Sequence, residues 1–257
     1  MKAAIIAPTA MLERYSTLTD THLALAHLVL SNKTYREFYK GRAAKGDFVT
    51  VDNSLIELGE PLPLEDVIRA AKMIDAQEIV LPDVFANCVE TLKVTMAAYR
   101  EIVASPDLTR FKWMAVPQGR NALGWFYSYW VFSKLPEITT IGIAKHTERF
   151  SKGGRPALLG ALATTESLAV EKAHHLLGCW SNPTEVLKCS KRFRWLRSVD
   201  SSIAVLAGLE GKPFPDPIRG IEFERPEKPM DFDAVDDPHP NITMRNVKLF
   251  IRWSRGV

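Results

Sequence analysis

Short apolar runs that end on a polar residue or a glycine recur along the chain. Residues 48–51 form a run of β-branched and aromatic residues closed by Asp52, and residues 79–81 lead through one proline to Asp83. Runs of this length and composition are typical of buried strands. The same pattern predicts eight strands, at Ala3, near Leu23, and at Phe48, Ile79, Lys112, Ile141, His174 and Leu196. For the second of them the pattern does not decide, because residues 22–30 could form a helix or could include the strand.

Segments with apolar residues at helical spacing separate most of these strands. They are residues 34–44, 64–74, 88–103, 123–135 and 165–173. Strands alternating with helices at intervals of roughly 25 to 35 residues predict an α/β fold, a single (β/α)8 TIM-type barrel. A doubly wound sheet is the structural alternative, but no Gly-x-Gly-x-x-Gly follows the first strand. We predict a catalytic barrel over residues 1–210 and, over residues 211–257, an irregular segment and closing helix packed on it.

Composition limits the class of protein. The chain of 257 residues is 46% apolar and 25% charged, which suits one large globular domain or two small ones. Three cysteines without a Cys-x-x-Cys pair argue against a disulfide framework and a cysteine-rich zinc site. The six histidines show no His-Glu-x-x-His or similar pairing, so we predict no metal. No stretch approaches the ~20 apolar residues of a membrane span. The apolar run within residues 1–7 is too short for a signal peptide. We therefore expect a cytoplasmic protein with no membrane partner.

The polar residues that end the strands are the first candidates for chemistry, because the carboxyl ends of barrel strands form the active-site face. The residues placed there are Asp52, Asp83, Gln118, Gly142, Gly178 and Asp200. Two or three carboxylates in one concave site suit acid–base or nucleophilic catalysis at a sugar carbon. A single strand-end aspartate often only caps the next helix, so the joint pattern carries the inference.

Six of these strand-end segments occur in a characteristic order over residues 48–202. They are Asp52-Asn-Ser-Leu-Ile-Glu57, Leu81-Pro-Asp-Val-Phe85, Val116-Pro-Gln-Gly119, Ile141-Gly-Ile-Ala144, His174-His-Leu-Leu-Gly178 with Asn182-Pro183, and Val199-Asp-Ser-Ser202. In this order they resemble the motifs of the tRNA-guanine transglycosylase superfamily, whose first motif is usually Asp-Ser-Gly-Gly-Phe-Gln. Within it they resemble the phage-type enzymes that insert 7-deazaguanines into DNA. The zinc motif of the tRNA enzymes, three clustered cysteines and a histidine, is missing, which favours DNA.

The resemblance implies roles for individual residues. Asp200 would be the nucleophile that attacks C1′ of the target nucleotide, and Asp52 would be the general acid and base. The residues implied to bind the guanine-like base are Asp83, Gln118, Gly142, Ile143 and Asn53. A carboxylate pairs with the N1–H and amine of guanine, and a base inside a duplex would first be flipped out. No cofactor is implied.

Two clusters of basic residues indicate a polyanionic partner. The first is Lys188, Lys191, Arg192, Arg194 and Arg197, and the second is Lys145, Arg149, Lys152 and Arg155. We expect both to flank the strand-end face and to contact nucleic-acid phosphates. A solvated basic face is the alternative for the first cluster.

The predicted function is the exchange of guanine in DNA for a 7-deazaguanine, such as 7-cyano-7-deazaguanine, through a covalent aspartyl-nucleotide intermediate. The expected partners are DNA and the free base, in the host cytoplasm if the chain is phage-encoded; a homodimer is left open. The alternatives are a tRNA transglycosylase without its zinc module, a hydrolase of nucleoside or glycosidic bonds, and a catalytically silent barrel that binds DNA. Exchange of a nucleobase without net hydrolysis would separate the transglycosylases from the hydrolase.

Overall fold

Eight strands form one sheet in the computed structural model, which describes residues 1–165, 167–179, 182–216 and 222–257. The strands are β1 (Lys2–Ile5), β2 (Thr21–Leu25), β3 (Phe48–Asp52), β4 (Glu78–Val80), β5 (Lys112–Ala115), β6 (Ile138–Ala144), β7 (Ala173–Leu177) and β8 (Leu196–Ser201). Their order in the sheet is β1-β8-β7-β6-β5-β4-β3-β2. The pairs β1–β8, β3–β4, β4–β5 and β5–β6 are parallel. All eight predicted strands are confirmed.

Helices lie between most of the strands. They are α1 (Leu12–Tyr15), α2 (Ala26–Ser31), α3 (Lys33–Ala44), α4 (Leu55–Leu58), α5 (Leu64–Met73), α6 (Cys88–Ala104), α7 (Ala122–Ser133), α8 (Gly154–Thr164), α9 (Thr184–Arg192), α10 (Ile203–Leu209) and α11 (Pro240–Ser254). A 3-10 segment, Lys145–Phe150, follows β6. This alternation and the parallel sheet give the (β/α)8 TIM-type fold class, as predicted. In the described ranges, no helix is both long and apolar enough to cross a membrane.

The helix predicted over residues 165–173 is wrong. Helix α8 ends at Thr164, and β7 begins at Ala173. Residues 167–172 form neither helix nor strand, and residue 166 lies outside the described residues.

By its internal contacts the chain divides into two compact units. The first consists of residues 1–23 and 176–257, and the second of residues 24–175. The division predicted after residue 210 falls inside the first unit and stays a prediction. In that unit, the described residues between α10 and α11 contain no helix or strand, and α11 packs against α9, α10 and β1.

Burial explains why these sequences form these elements. All three residues of β4 are buried, as are the last three of β5, which is typical of parallel strands covered on both faces. Helix α3 buries Tyr35, Phe38 and Tyr39, which share one face at helical spacing. The buried positions are mostly apolar; Glu78 in β4 is an exception, and its carboxylate accepts hydrogen bonds from the hydroxyls of Thr50 and Thr140.

Asparagine caps hold the loops that follow β4 and β5. The side chain of Asn87 accepts a hydrogen bond from the backbone N–H of Glu90 at the start of α6. Asn121 accepts one from Gly124 at the start of α7. Each cap satisfies an N–H group that the first helical turn leaves unpaired. The loops before these caps carry Asp83 and Gln118.

A close approach between α10 and α11 gives a test of the packing in the first unit. A Cβ atom added at Gly208 would lie 2.4 Å from Cα and 2.3 Å from Oγ1 of Thr243. We expect Gly208→Ala to lower the free energy of unfolding by about 2 kcal/mol, because the helices must move apart. Gly41→Ala, in α3, is the matched control, since nothing lies within 4 Å of its added Cβ. Gly41→Ala should raise the free energy of unfolding by about 0.5–1 kcal/mol, because alanine is the better helix former. Urea unfolding of both variants measures the difference. Equal effects of the two substitutions would contradict the close approach at Gly208.

Candidate active site

A buried carboxylate held between two amides lies after the ends of three neighbouring strands of the second unit. Asn53 Nδ2 donates to Asp83 Oδ1 over 2.7 Å, and Gln118 Nε2 donates to Asp83 Oδ2 over 2.6 Å. The three side chains are 2–3% exposed. Residues separated by 30 and 35 positions in the chain thus form one cluster, which we call the Asp83 cluster.

The backbone fixes the orientation of both amides. The N–H of Leu55 donates to Asn53 Oδ1 over 3.0 Å, and the N–H of Ala86 donates to Gln118 Oε1 over 3.0 Å. Because each amide oxygen accepts from the backbone, each NH2 group must point at the carboxylate. Both Asp83 oxygens therefore accept a bond, which uses two of roughly four acceptor positions on the carboxylate.

The environment of Asp83 changes its acidity. Burial raises its pKa to about 6, against the opposing effect of the hydrogen bonds from Asn53 and Gln118. At neutral pH the carboxylate is therefore mostly ionised, within reach of protonation at mildly acidic pH. A perturbed carboxylate at strand ends is a recognised mark of functional sites.

This pKa predicts a pH dependence of stability. The folded pKa, about 6, exceeds the value near 3.9 expected in an unfolded chain, so protonation favours the folded state. The stabilisation is fully present below about pH 3.9 and is lost as the pH rises through about 6. We expect the stability of wild type relative to Asp83→Asn to increase by on the order of 2 kcal/mol from pH 7 to pH 4. Urea unfolding of both proteins across this range measures it, and a difference that does not vary with pH would contradict it.

The turn after β3 has an unusual backbone. Asp52 is the last residue of β3, and its Oδ2 accepts a hydrogen bond from the N–H of Ser54 over 2.8 Å. Ser54 lies in the left-handed region with φ of 62°, and its Oγ is 2.8 Å from Nδ1 of His27. A left-handed serine is disfavoured by roughly 1–2 kcal/mol, so these side chains hold the turn in place.

A second left-handed residue lies in the loop after β4. Ala86 has φ of 54°, and Gln118 of the Asp83 cluster accepts from its N–H. Among the described residues, the only other non-glycine with positive φ is Asp75. Strained backbone of this kind concentrates where the surroundings hold a functional geometry. Two strained residues thus border the Asp83 cluster.

The predicted backbone contacts of the site lie on β6. Gly142 and Ile143 are both buried in this strand. The carbonyl of Ile143 accepts a hydrogen bond from Arg155 Nη1 over 3.2 Å. Arg155 is fully buried, so its guanidinium is not on the surface where a phosphate could contact it. Its position corrects the surface placement expected for this residue: it supports β6 from within.

Asp200 belongs to the first unit. It is the fifth residue of β8 and is 5% exposed. Its Oδ1 accepts a hydrogen bond from the N–H of Gly178 over 3.1 Å. Gly178 has φ of 65°, which glycine adopts without the steric penalty of a side chain. The loop after β7 is thereby held against the carboxyl end of β8.

The second basic cluster follows the carboxyl end of its strand, as expected. Lys145 and Arg149 lie in the 3-10 segment directly after β6, with Lys145 partly buried and Arg149 exposed. Lys152 follows in the next turn and is exposed. Three members of this cluster therefore present charge at the carboxyl end of β6.

The first basic cluster occupies the other end of its strand. Lys188, Lys191 and Arg192 lie in α9, and Arg194 follows in the loop that leads into the amino end of β8. Arg197 is the second residue of β8, and its Nε donates to Ser198 Oγ. The expectation that this cluster flanks the carboxyl ends of the strands is therefore wrong, because α9 and its loop precede β8.

The contact between the rings of Phe85 and His146, next to the second basic cluster, was not predicted. The ring of Phe85 is half exposed, and its centroid lies 5.1 Å from that of the His146 ring. The centroid of the Phe150 ring lies 5.6 Å from the same His146 ring. Burial, above other causes, lowers the pKa of His146. The position of Phe85 two residues after Asp83 was the only sequence signal for this contact between the loops after β4 and β6.

Comparison with models of known protein families finds no match, and comparison with curated proteins finds none either. Within the described residues, no three His, Cys, Asp or Glu side chains form a group that could hold a metal ion.

Proposed function

We propose that this protein is a transglycosylase that exchanges guanine in DNA for a 7-deazaguanine base. The observation that carries the proposal is the Asp83 cluster, an ionisable carboxylate buried between two oriented amides after the strand ends. In this fold class, active sites lie at the carboxyl ends of the strands. A carboxylate is the acceptor that complements the N1–H and exocyclic amine of guanine, and an amide can serve O6 or N7.

The cluster retains the capacity to bind such a base. Its carboxylate uses two of roughly four acceptor positions, which leaves two for donors on a ligand. Its environment holds the amides in one orientation, so little side-chain entropy remains to be lost on binding. Ser54 supports the family resemblance, because it takes a left-handed conformation where the family motif has a glycine.

The proposed reaction has two balanced steps. In the first, the Asp200 carboxylate attacks C1′, the bond from C1′ to the guanine nitrogen breaks, and Asp52 supplies a proton to the departing guanine. In the second, Asp52 takes the proton from the corresponding nitrogen of the 7-deazaguanine, which attacks C1′ and releases the Asp200 carboxylate. Neither step needs an oxidant or reductant, and the bond energy of the glycosidic link is conserved in the ester.

Incorporation of labelled guanine tests this proposal, because a transglycosylase exchanges guanine for guanine without net change. Purified protein is incubated with labelled guanine and either duplex DNA or tRNA, and the polymer is then counted. Label in DNA is expected. Label in tRNA alone would contradict the choice of DNA, and release of guanine from DNA without incorporation would indicate a hydrolase instead.

A further inference from the structure

Two helices of the first unit each present a basic face. Helix α9 exposes Lys188, Lys191 and Arg192, spaced so that they share one side of the helix. Helix α11 and the residue after it likewise expose three cations at helical spacing: Lys248 and Arg252 in the helix and Arg255 at its C-cap. The α11 face was not among the predicted basic clusters.

The two faces adjoin at the ends of their helices. Ser190 Oγ donates to the carbonyl of Trp253 over 2.5 Å, which joins the second half of α9 to the last turn of α11. A Cβ atom added at Gly256 would lie 3.8 Å from Cγ of Lys191. The cations of both helices therefore belong to one continuous surface.

Arg194 places this surface at the amino ends of β1 and β8. Arg194 lies in the loop between α9 and the first residue of β8, and its charge, after burial, lowers the pKa of the Met1 amino group. Lys2 pairs with Ser198 in the register of β1 and β8. Asp200 is four residues beyond Leu196 along β8, a separation of roughly 13 Å in a strand. The basic surface and Asp200 thus lie toward opposite ends of β8.

The charge of this surface is large for the protein. Residues 182–197 and 240–257 contain nine of the 33 Lys and Arg residues but one of the 30 Asp and Glu residues. The formal net charge of +3 therefore depends on these two segments. In the part of the chain that the structure describes, α11 has one ion pair, between Arg245 and Asp216. The like charges that remain repel one another, and a polyanion would relieve that repulsion.

We propose that this surface binds the phosphate backbone of a nucleic acid, as a contact separate from the strand-end chemistry. We call it the amino-end basic surface; its residues are Lys188, Lys191, Arg192, Arg194, Lys248, Arg252 and Arg255. Four of the seven are arginines, whose planar fork matches phosphate oxygens. In residues 182–197 and 240–257, Val257 is the one exposed large apolar side chain, so the surface has little with which to enter a lipid layer. The choice of nucleic acid over other polyanions rests on the proposed function.

Charge reversal tests the surface. The triple variant Lys191→Glu, Arg192→Glu and Arg255→Glu is compared with wild type for binding a labelled 30-base-pair duplex by fluorescence anisotropy at several salt concentrations. We expect affinity at low salt to fall at least about tenfold, and the slope of log K against log salt to decrease in magnitude by about 2–3. Circular dichroism confirms that the variant is folded.

The matched control changes the same charge elsewhere. Lys33, Lys40 and Lys45 are exposed cations at α3, and their reversal to Glu alters the net charge equally. An equal loss of affinity in this control, or an unchanged salt slope in the test variant, would overturn the proposal. So would wild-type protein that binds anionic phosphatidylserine vesicles but not the duplex.

The binding assay separates this proposal from the proposed function. Loss of binding in the test variant, together with failure of wild-type guanine incorporation, would support the surface and reject the transglycosylase. Incorporation by wild type with unchanged binding in the variant would reject the surface alone.

Discussion

Replacement of Asp200 by Asn is expected to lower the rate of guanine exchange at least about 10³-fold, because an amide cannot form the ester to C1′. Asn retains an oxygen at the position that accepts the Gly178 N–H, so the loop after β7 should keep its place. The measurement is single-turnover incorporation of labelled guanine into duplex DNA. Denaturing electrophoresis of the same reactions should show a protein–DNA adduct with wild type and none with the variant.

Binding and folding serve as controls for this result. Asp236→Asn changes an exposed carboxylate of the same unit and should leave exchange within about twofold of wild type. Duplex affinity of Asp200→Asn should also be unchanged, since phosphate contacts dominate it. An Asp200→Asn protein that still forms the adduct would show that another group is the nucleophile.

Substitutions that remove or move the negative charge of the Asp83 cluster are expected to affect protein stability and guanine exchange differently. Asp83→Asn removes the carboxylate that would accept from guanine, and exchange should fall at least about 10²-fold. Its stability at pH 7 should change little, because loss of one hydrogen bond is offset by removal of a buried charge. Gln118→Glu instead buries a second carboxylate beside Asp83 and should lower the free energy of unfolding by about 2 kcal/mol or more.

The double variant completes this cycle. With Asp83→Asn and Gln118→Glu together, the new amide donates to the new carboxylate, which also accepts from the N–H of Ala86. We expect stability to recover to within about 1 kcal/mol of wild type, a clear coupling between neighbours. Exchange should stay low, because the negative charge has moved away from position 83. Full recovery of exchange would mean that Asp83 itself does not read the base.

Local patterns in the sequence were sufficient to predict the sheet. A strand such as β3 is determined by β-branched residues that follow one another in the chain, and its end by a polar residue beside them. The start of helix α3 was predicted to within one residue. This was possible because the apolar residues that mark the helix lie within one turn of each other in the sequence. Where the pattern extended beyond its element, as in the helix predicted over residues 165–173, the prediction failed.

Side-chain burial depended on neighbours that are remote in sequence. In α7, Trp125, Tyr129 and Phe132 are buried in the core, whereas Tyr127 and Trp130 are exposed. Both groups contain a Trp and a Tyr, so residue type cannot separate them. Their positions around the helix relative to the sheet decide which are covered.

The sequence by itself determined which polar residues lie at or just beyond the carboxyl ends of the strands, and so the candidates Asp52, Asp83, Gln118 and Asp200. Only the tertiary structure decided that Asn53 and Gln118 both bond to Asp83, because strand register brings together residues 30 and 35 positions apart. It also decided that the basic cluster close to Asp200 in sequence lies at the other end of β8. An extended strand advances about 3.3 Å per residue, so a short step along the chain carries a charge away from the site.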